Sequence, residues 1–411
     1  MKAFLFASFW FSGSFCAIAA QPLIGLWDAK LTVDKDFAIP FALEFTGSDV
    51  HLSASFFNGD ERVTSTGGVQ NGSNVQLDFA HYASRLEATI ENGILKGKYG
   101  SAQNGFRDFE AQPHSATVTS STNNGPTIKG VWEIPNESPK GEKAWRLIVR
   151  ENGLDISAAI LRVDGDTGTL RGGWKKDRYV LSLFDGARAS VLEIIPQSDA
   201  TLKLSLRSPR GPAALFTAIR PDAARAKGLP EPTNPELHTR MKNPNEPFRF
   251  SFPDLEGKVI SDTDAKFYNK VVIVNIGGSW CPNCHDEAPY LEALYKKYRQ
   301  LGLEIVMLDF EDAEQLKKLT RLPAFIKKYS LDYTFLVAGE RKELQAKVPQ
   351  AENLNAWPTT FFLGRDGKVR AVHAGFAAPA SGEFHNELMQ SITRTVETLL
   401  AESGSLASGT D

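Results

Sequence analysis

Residues 271–289 read VVIVNIGGSWCPNCHDEAP. The β-branched run Val271 to Ile276 has strand propensity and enough length to cross a buried sheet. It breaks at Gly277-Gly278, and Cys281-Pro282-Asn283-Cys284 follows at the mouth of a helical stretch. A strand, a short loop and a C-x-x-C pair opening a helix make a reactive dithiol. The helix start offers unpaired N–H groups and the positive end of the macrodipole, both of which favour a thiolate. Cys281 is then the expected nucleophile. Cys284, about one turn further on, is the expected resolving thiol. The pair is expected to be close, exposed and open to exchange with another protein.

Around this stretch the sequence alternates strand-like and helix-like segments. Upstream, Phe248 to Phe252 alternates as a strand, and Pro253 to Lys258 reads as a hairpin turn. Downstream, Leu291, Leu294, Tyr295, Tyr298 and Leu301 fall at helical spacing up to Gly302. Glu304 to Asp309 is the next expected strand. Ala313 to Tyr329 is helix-like, with Pro323 expected to kink or divide it. Tyr333 to Val337 reads as a strand and Arg341 to Val348 as a short helix. Thr360 to Leu363 and Val369 to Val372 form a hairpin about Arg365-Asp366-Gly367-Lys368, and Phe384 to Leu400 closes as an amphipathic helix. This order predicts an α/β domain with a mixed central sheet over 248–401, followed by a disordered polar tail at 402–411.

Residues 21–221 are a different kind of sequence. Short alternating segments such as Phe41 to Phe45, Val75 to Phe79 and Leu202 to Leu206 are separated by Asn-Gly, Asp-Gly and Gly-Gly pairs, which are hairpin signals. Gly25-Leu26-Trp27-Asp28 matches Gly130-Val131-Trp132-Glu133, and Gly67-Gly68 with Phe79 matches Gly172-Gly173 with Phe184. Phe109-Glu110-Ala111 and Phe216-Thr217-Ala218 close the two copies. The reading is two duplicated antiparallel β units, 21–114 and 126–221, packed as a sandwich or barrel-like pair and joined through Ser115 to Asn124. Trp27 and Trp132 are expected core plugs, and His51, His81 and His114 surface or strand histidines. A proline-rich, semi-extended linker is expected at 222–247.

The 411 residues, 42% hydrophobic and 23% charged, are enough for two or three folded domains. A net charge of −3 and the lack of a basic block argue against nucleic acid as a partner. Met1 to Ala20 reads as a secretory signal peptide ending in an A-x-A site, which predicts export to the periplasm or cell envelope. The rival is an uncleaved membrane anchor; the protein contacts the membrane only in that case. Cys16 follows the bulky Phe15, which argues against a lipoprotein, and leaves with the leader. The two cysteines that remain, Cys281 and Cys284, close too small a loop to be a stabilising staple.

Four features of Phe248 to Ala401 resemble the thioredoxin superfamily, and more closely the TlpA/ResA-like thiol-disulfide oxidoreductases of bacterial envelopes. They are the entry hairpin Phe252 to Lys258, Trp280-Cys281-x-x-Cys284 with Pro289 at a helix kink, Glu287 three residues past the second cysteine, and Trp357-Pro358-Thr359-Thr360 before Phe361-Phe362-Leu363. The resemblance covers 248–401 only and implies an α/β thioredoxin-like C-terminal domain there. With the duplicated all-β antiparallel N-terminal region read from the repeat, the expected fold class is multidomain. The resemblance further implies a cis Pro358 facing the dithiol, with Trp280, Trp357, Pro358 and Thr359 lining a substrate groove where Trp357 offers its backbone to a substrate strand. Glu287 would take the Cys284 proton during resolution, or, more plainly, compensate the helix dipole. No cofactor or metal is implied. The implied partners are protein disulfide substrates and an envelope thiol electron donor.

Three positions depart from the family pattern. Asn275 stands where thioredoxins carry a buried acid, Gly277-Gly278 are expected to loosen the loop or open the groove, and Pro282-Asn283 leaves open whether the protein reduces or oxidises. Other readings compete. Cys281 to His285 also spells the c-type haem motif C-x-x-C-H. A peroxiredoxin nucleophile follows P-x-x-x-[TS]-x-x-C, but Val274 and Gly278 occupy those positions. A third reading makes the β half a binding or scaffold module with the dithiol as a redox tether.

Overall fold

The computed structural model describes residues 23–35, 37–58, 61–103, 105–115, 125–153, 155–209 and 211–402. The expected leader at 1–20, the joining stretch 116–124 and the tail from 403 lie outside the described residues.

Alternation of apolar and polar residues builds the N-terminal half. In Asn74–Phe79, Val75, Leu77 and Phe79 are buried while Asn74 and Gln76 face out, the two-residue period of a strand with one wet face. The Asn92-Gly93 pair turns the next hairpin with φ of 51° and 79°, the left-handed pair that a two-residue turn of this kind requires. Repeated, this gives a first antiparallel sheet running from Gly25–Asp34 to Gly105–Pro113. Its first strand also pairs with its last, Ala29 opposite Ala111. The remaining gap is bridged by Gln70 N–H donating to Asp49 O at 2.7 Å. The second sheet, from Gly130–Pro135 to Gly211–Ala218, is sealed where Glu133 and Ile219 exchange two backbone hydrogen bonds of 2.8 and 2.9 Å. Both are meanders that close on themselves, so of the two packings expected, the barrel-like one is found.

Trp27 and Trp132 are buried in their respective barrels, and each indole N–H donates to the carbonyl four residues back: Leu23 at 2.7 Å and Ile128 at 2.8 Å. The barrels share apolar contacts. Phe184 of the second packs against Phe41 and Phe56 of the first, with ring centroids 4.2 and 4.8 Å apart.

The stretch expected to be a semi-extended linker holds two short helices, Pro221–Ala226 and Pro235–His238. Each begins on proline, whose missing N–H and fixed φ suit a first helical position, so these prolines start turns instead of stretching the chain.

In the C-terminal part a five-stranded mixed sheet has the order Thr334–Glu340, Leu303–Glu311, Val271–Gly277, Thr359–Leu363, Val369–Ala374. The first three strands are parallel and the last two antiparallel to their neighbours. Val271–Gly277 lies in the middle and is buried throughout. Val271 and Ile273 face a core built with the helices Pro282–Tyr298, Arg321–Tyr329 and Glu383–Ala401, while Val272, Val274 and Ile276 face Phe248, Phe361 and Leu336. A strand covered on both sides has no polar face to show, which is why its sequence is apolar but for Asn275, whose amide is hydrogen-bonded to Glu287 and Thr360.

Of the two outcomes expected at Pro323, the stretch Ala313 to Tyr329 is divided and not kinked. The chain breaks at Lys318 to Thr320, and Pro323 sits in the first turn of Arg321–Tyr329, where its missing N–H is tolerated. Of Phe248 to Phe252, only the end is in a strand, Ser251–Pro253; Phe248 and Phe250 are core residues instead.

Candidate functional site

The central strand ends at a short loop that delivers the chain to the helix Pro282–Tyr298. Cys281 is the cap residue of that helix, and Pro282 takes its first position. The backbone N–H of Cys284 donates to Cys281 Sγ at 3.2 Å. The sulfur thus stands where a capping oxygen normally would, at the end of the helix that favours negative charge. Cys281 and Cys284 are joined as a disulfide, with Cα atoms 5.2 Å apart.

The Trp357–Pro358 peptide bond is cis. The Trp357 and Trp280 rings meet edge to face, centroids 5.3 Å apart. Trp280 is further fixed by its indole N–H donating to Phe310 O at 2.7 Å and by the Arg341 guanidinium over its ring. Thr359 is buried and its hydroxyl donates to Ala356 O at 2.9 Å, so it braces the loop from behind.

Gly277-Gly278 do not loosen the loop or open a groove. A Cβ on Gly278 would stand 2.2 Å from Trp280 Nε1 and 2.5 Å from Phe310 O. The missing side chain is what lets the indole fold back onto the neighbouring strand. A Cβ on Gly277 would stand 2.7 Å from Met307 Cε and 3.2 Å from Cys284 Sγ. The loop is tightly packed.

Glu287 lies one turn past Cys284 and is 2% exposed. Its carboxylate accepts from Asn275 Nδ2 at 2.7 Å and from Thr360 Oγ1 at 2.9 Å. Burial pushes this carboxyl up to about 7, against the two hydrogen bonds that pull it down. The space left by the absent Gly277 side chain is flanked by Cys284 Sγ and, 3.5 Å from the same ideal Cβ, by Asn275 Oδ1. Asn275 and Thr360 together hold the buried Glu287 carboxyl in place. A surface role in dipole compensation does not fit a carboxyl facing inward onto the sheet.

This protonation affects stability as well as chemistry. An unfolded chain releases the Glu287 proton near 4.5, whereas the folded chain holds it up to about 7. The folded state binds more protons between those values, so stability falls as pH rises through that window and levels off above it. Glu287→Gln is expected to remove this decline, which is on the order of 3 kcal/mol. Urea unfolding of both proteins at pH 5 and pH 8 would check it, since equal slopes with pH would contradict the assignment.

Residues not singled out from sequence, Arg321, Glu311 and Lys328 among them, pack around the loop together with His285 and His81. His285 is buried, with Nδ1 3.2 Å from Tyr329 Oη and Nε2 2.8 Å from Ser279 O. Burial and the nearby Lys328 hold it well below the ordinary histidine range. Both ring nitrogens are engaged by protein atoms, which argues against an axial haem ligand. Beneath the loop, Arg321 pairs with Glu311 and with Asp312 (2.9 Å), and its Nε donates to Ser279 Oγ at 2.9 Å. His81, expected on the surface or in a strand, is instead buried against the C-terminal part. Its Nε2 is 2.8 Å from Lys328 Nζ, and its ring lies against His285. Burial drives its pKa down to about 3, with Lys328 adding to the effect. Among the described residues, no group of three His, Cys, Asp or Glu is placed to hold a metal ion.

The expectation of an exposed dithiol fails. Cys281 is 3% and Cys284 2% exposed. The second barrel packs beside them: its Asp164 and Arg188 reach Trp357, Asn283 and Asp286. These contacts join positions about a hundred or more residues apart, beyond any local pattern.

Residues 245–372 match the AhpC/TSA family. Thiol-disulfide oxidoreductase ResA of Bacillus cereus is 34% identical over 130 residues, 32% of this chain and 68% of the relative. Thioredoxin-like protein YneN of Bacillus subtilis is 33% identical over 126 residues, 31% of this chain and 68% of the relative. Among solved structures, a thiol:disulfide interchange protein of the thioredoxin family from Chlorobium tepidum aligns with 22% identity and a TM-score of 0.31, covering 39% of this chain and 99% of that one.

Proposed function

The chain belongs, through its C-terminal part, to the ResA-type family of thiol-disulfide oxidoreductases, and from that premise we propose that it is a cell-envelope reductase of protein disulfides. The observation that carries the reading is Cys281 Sγ at the helix cap, accepting the Cys284 N–H within disulfide reach of the second sulfur. In the reduced protein the Cys281 thiolate attacks one sulfur of a partner disulfide. A mixed disulfide forms and the partner's other sulfur leaves as a thiolate. Cys284, with Glu287 as the general base that takes its proton, then attacks Cys281 Sγ and releases the fully reduced partner. Two electrons pass from the dithiol to the partner, and a thiol donor in the envelope must return them. Trp280, Trp357 and cis Pro358 form the docking rim, Thr359 supports it, and the leader at 1–20 directs export. No helix among the described residues is long and apolar enough to cross a membrane. The two barrels are read as copies of one duplicated unit.

The test is insulin reduction with dithiothreitol as donor, alongside Cys284→Ser in cells. The wild type is expected to speed precipitation of the reduced insulin chains. The variant should accumulate covalent adducts that disperse on adding reductant, because the first attack remains and the resolving step is gone. No adduct and no turnover would end the reading.

A further inference from the structure

The second barrel sends a turn, Val163 to Gly165, into the region that the proposed function assigns to substrate. The Asp164 side chain accepts the backbone N–H of Trp357 at 3.0 Å. That N–H, immediately before cis Pro358, is the one a substrate strand would need. The Asp164 carbonyl accepts from Asn283 Nδ2, between the two cysteines, at 2.8 Å, and from Phe376 N–H at 3.2 Å. Gly165 forms a parallel bridge with Phe376, so the turn is seated as a short extra strand.

The fit is specific at both surfaces. A Cβ on Gly375 would stand 2.1 Å from Val163 O, and one on Gly165 2.2 Å from Phe376 O. Only glycine at these two positions allows so close an approach. Lys140 pairs with the Asp164 carboxylate and orients it toward Trp357. Beside the turn, Arg188 of the same barrel pairs with Asp286 at 2.9 Å while held by Asp185 at 2.6 Å, and reaches Asn283 Oδ1 at 3.3 Å. The Arg188 and Asp286 side chains are 16% and 15% exposed, so the pair is shielded from solvent and weakly screened. The dithiol beside these contacts is 2–3% exposed.

We propose that the Val163–Gly165 turn is a built-in plug: it occupies the docking atoms of the redox site in the resting protein, and a partner disulfide gains Cys281 only when the second barrel lifts away. This rests on the reading of Trp357 and cis Pro358 as the docking rim. The plug is an equilibrium between closed and open forms, so weakening the contacts that stabilise only the closed form raises the open population in proportion.

The test uses the full chain, reduced, and follows alkylation of Cys281 by peptide mass with iodoacetamide and with a polymer-linked maleimide. Asp164→Ala and Arg188→Ala are each expected to speed the polymer reagent by about tenfold, the effect of removing one charge-assisted contact. Iodoacetamide should be affected less. Equal polymer rates in the wild type and both variants would overturn the plug. Should the variants fail to fold, hydrogen exchange at the Trp357 amide of the unaltered protein decides. Slow exchange, reflecting its bond to Asp164, supports the plug, and exchange at the rate of an open loop amide overturns it. Insulin turnover separates the two claims. Variants that expose Cys281 yet reduce no insulin sustain the plug and remove the reductase reading. Rapid insulin reduction with unchanged Cys281 exposure does the reverse.

Discussion

Replacing Cys281 with serine is expected to bring insulin reduction down to the uncatalysed background, a fall on the order of a thousandfold or more. The reasoning starts from the cap. Cys281 Sγ is the atom that receives the Cys284 N–H at the head of the helix. A thiolate there is stabilised by that N–H and by the aligned peptide dipoles behind it. A serine oxygen receives the same hydrogen bond, so the helix keeps its cap and the fold is preserved. The oxygen remains a neutral hydroxyl at working pH, and it cannot replace sulfur in an exchange with a disulfide. Activity and structure therefore separate cleanly in this variant. Cys284→Ser differs from it in kind, since the first attack survives and the mixed disulfide accumulates. Glu287→Gln differs again: both sulfurs remain, and the loss should be confined to the resolving step and to its dependence on pH near 7. Rapid-quench measurement of mixed-disulfide formation and decay in the three variants distinguishes these roles. Retained turnover in Cys281→Ser would place the chemistry elsewhere.

The parts of this molecule legible from sequence are those fixed by neighbours in the chain. Val271 to Ile276 announced a buried strand because five of its six residues are β-branched and apolar and leave no wet face, and the structure covers both sides of it. Trp27 and Trp132 announced equivalent plugs because each sits at the same place in its own repeat, and each makes the same bond to the carbonyl four residues back. The dithiol was legible for the same local reason. What could not be read is what happens where barrel and sheet meet. Asp164 to Trp357, Arg188 to Asp286 and His81 to Lys328 each join residues with no shared periodicity. These contacts lie around the buried cysteines and leave no trace in the local pattern. Gly277-Gly278 misled because a glycine pair suggests slack when considered by itself. In the folded chain it is the space into which the Trp280 indole closes.

Arg321→Met is expected to destabilise the protein by about 3–5 kcal/mol, the usual consequence of removing one partner from a buried ion pair. Arg321 is 3% exposed and Glu311 is fully buried. Glu311 also accepts the Ser279 N–H at 3.0 Å, and the Ser279 hydroxyl sits between the carboxylate and the Arg321 Nε. Methionine fills much of the volume, but it leaves Glu311 without a counter-charge and Ser279 without its second partner. Asp309 cannot compensate. It is itself fully buried, and burial together with Glu311 pushes its carboxyl well above the ordinary range, toward the neutral form. Glu311 has two ways to respond: take up a proton or draw in water, and either change disturbs the loop that carries Trp280 and Cys281. The loss should therefore appear twice, in the midpoint of urea unfolding and in slower insulin reduction by the folded fraction. A double variant, Arg321→Met with Glu311→Gln, removes the stranded charge and is expected to recover a large share of the stability, because a neutral pair in this pocket has less to lose by desolvation. If the single variant unfolds at the wild-type midpoint, the cluster is not what holds the active-site loop in place. If instead the double variant is no more stable than the single, the penalty comes from lost packing around the guanidinium and not from the unpaired carboxylate.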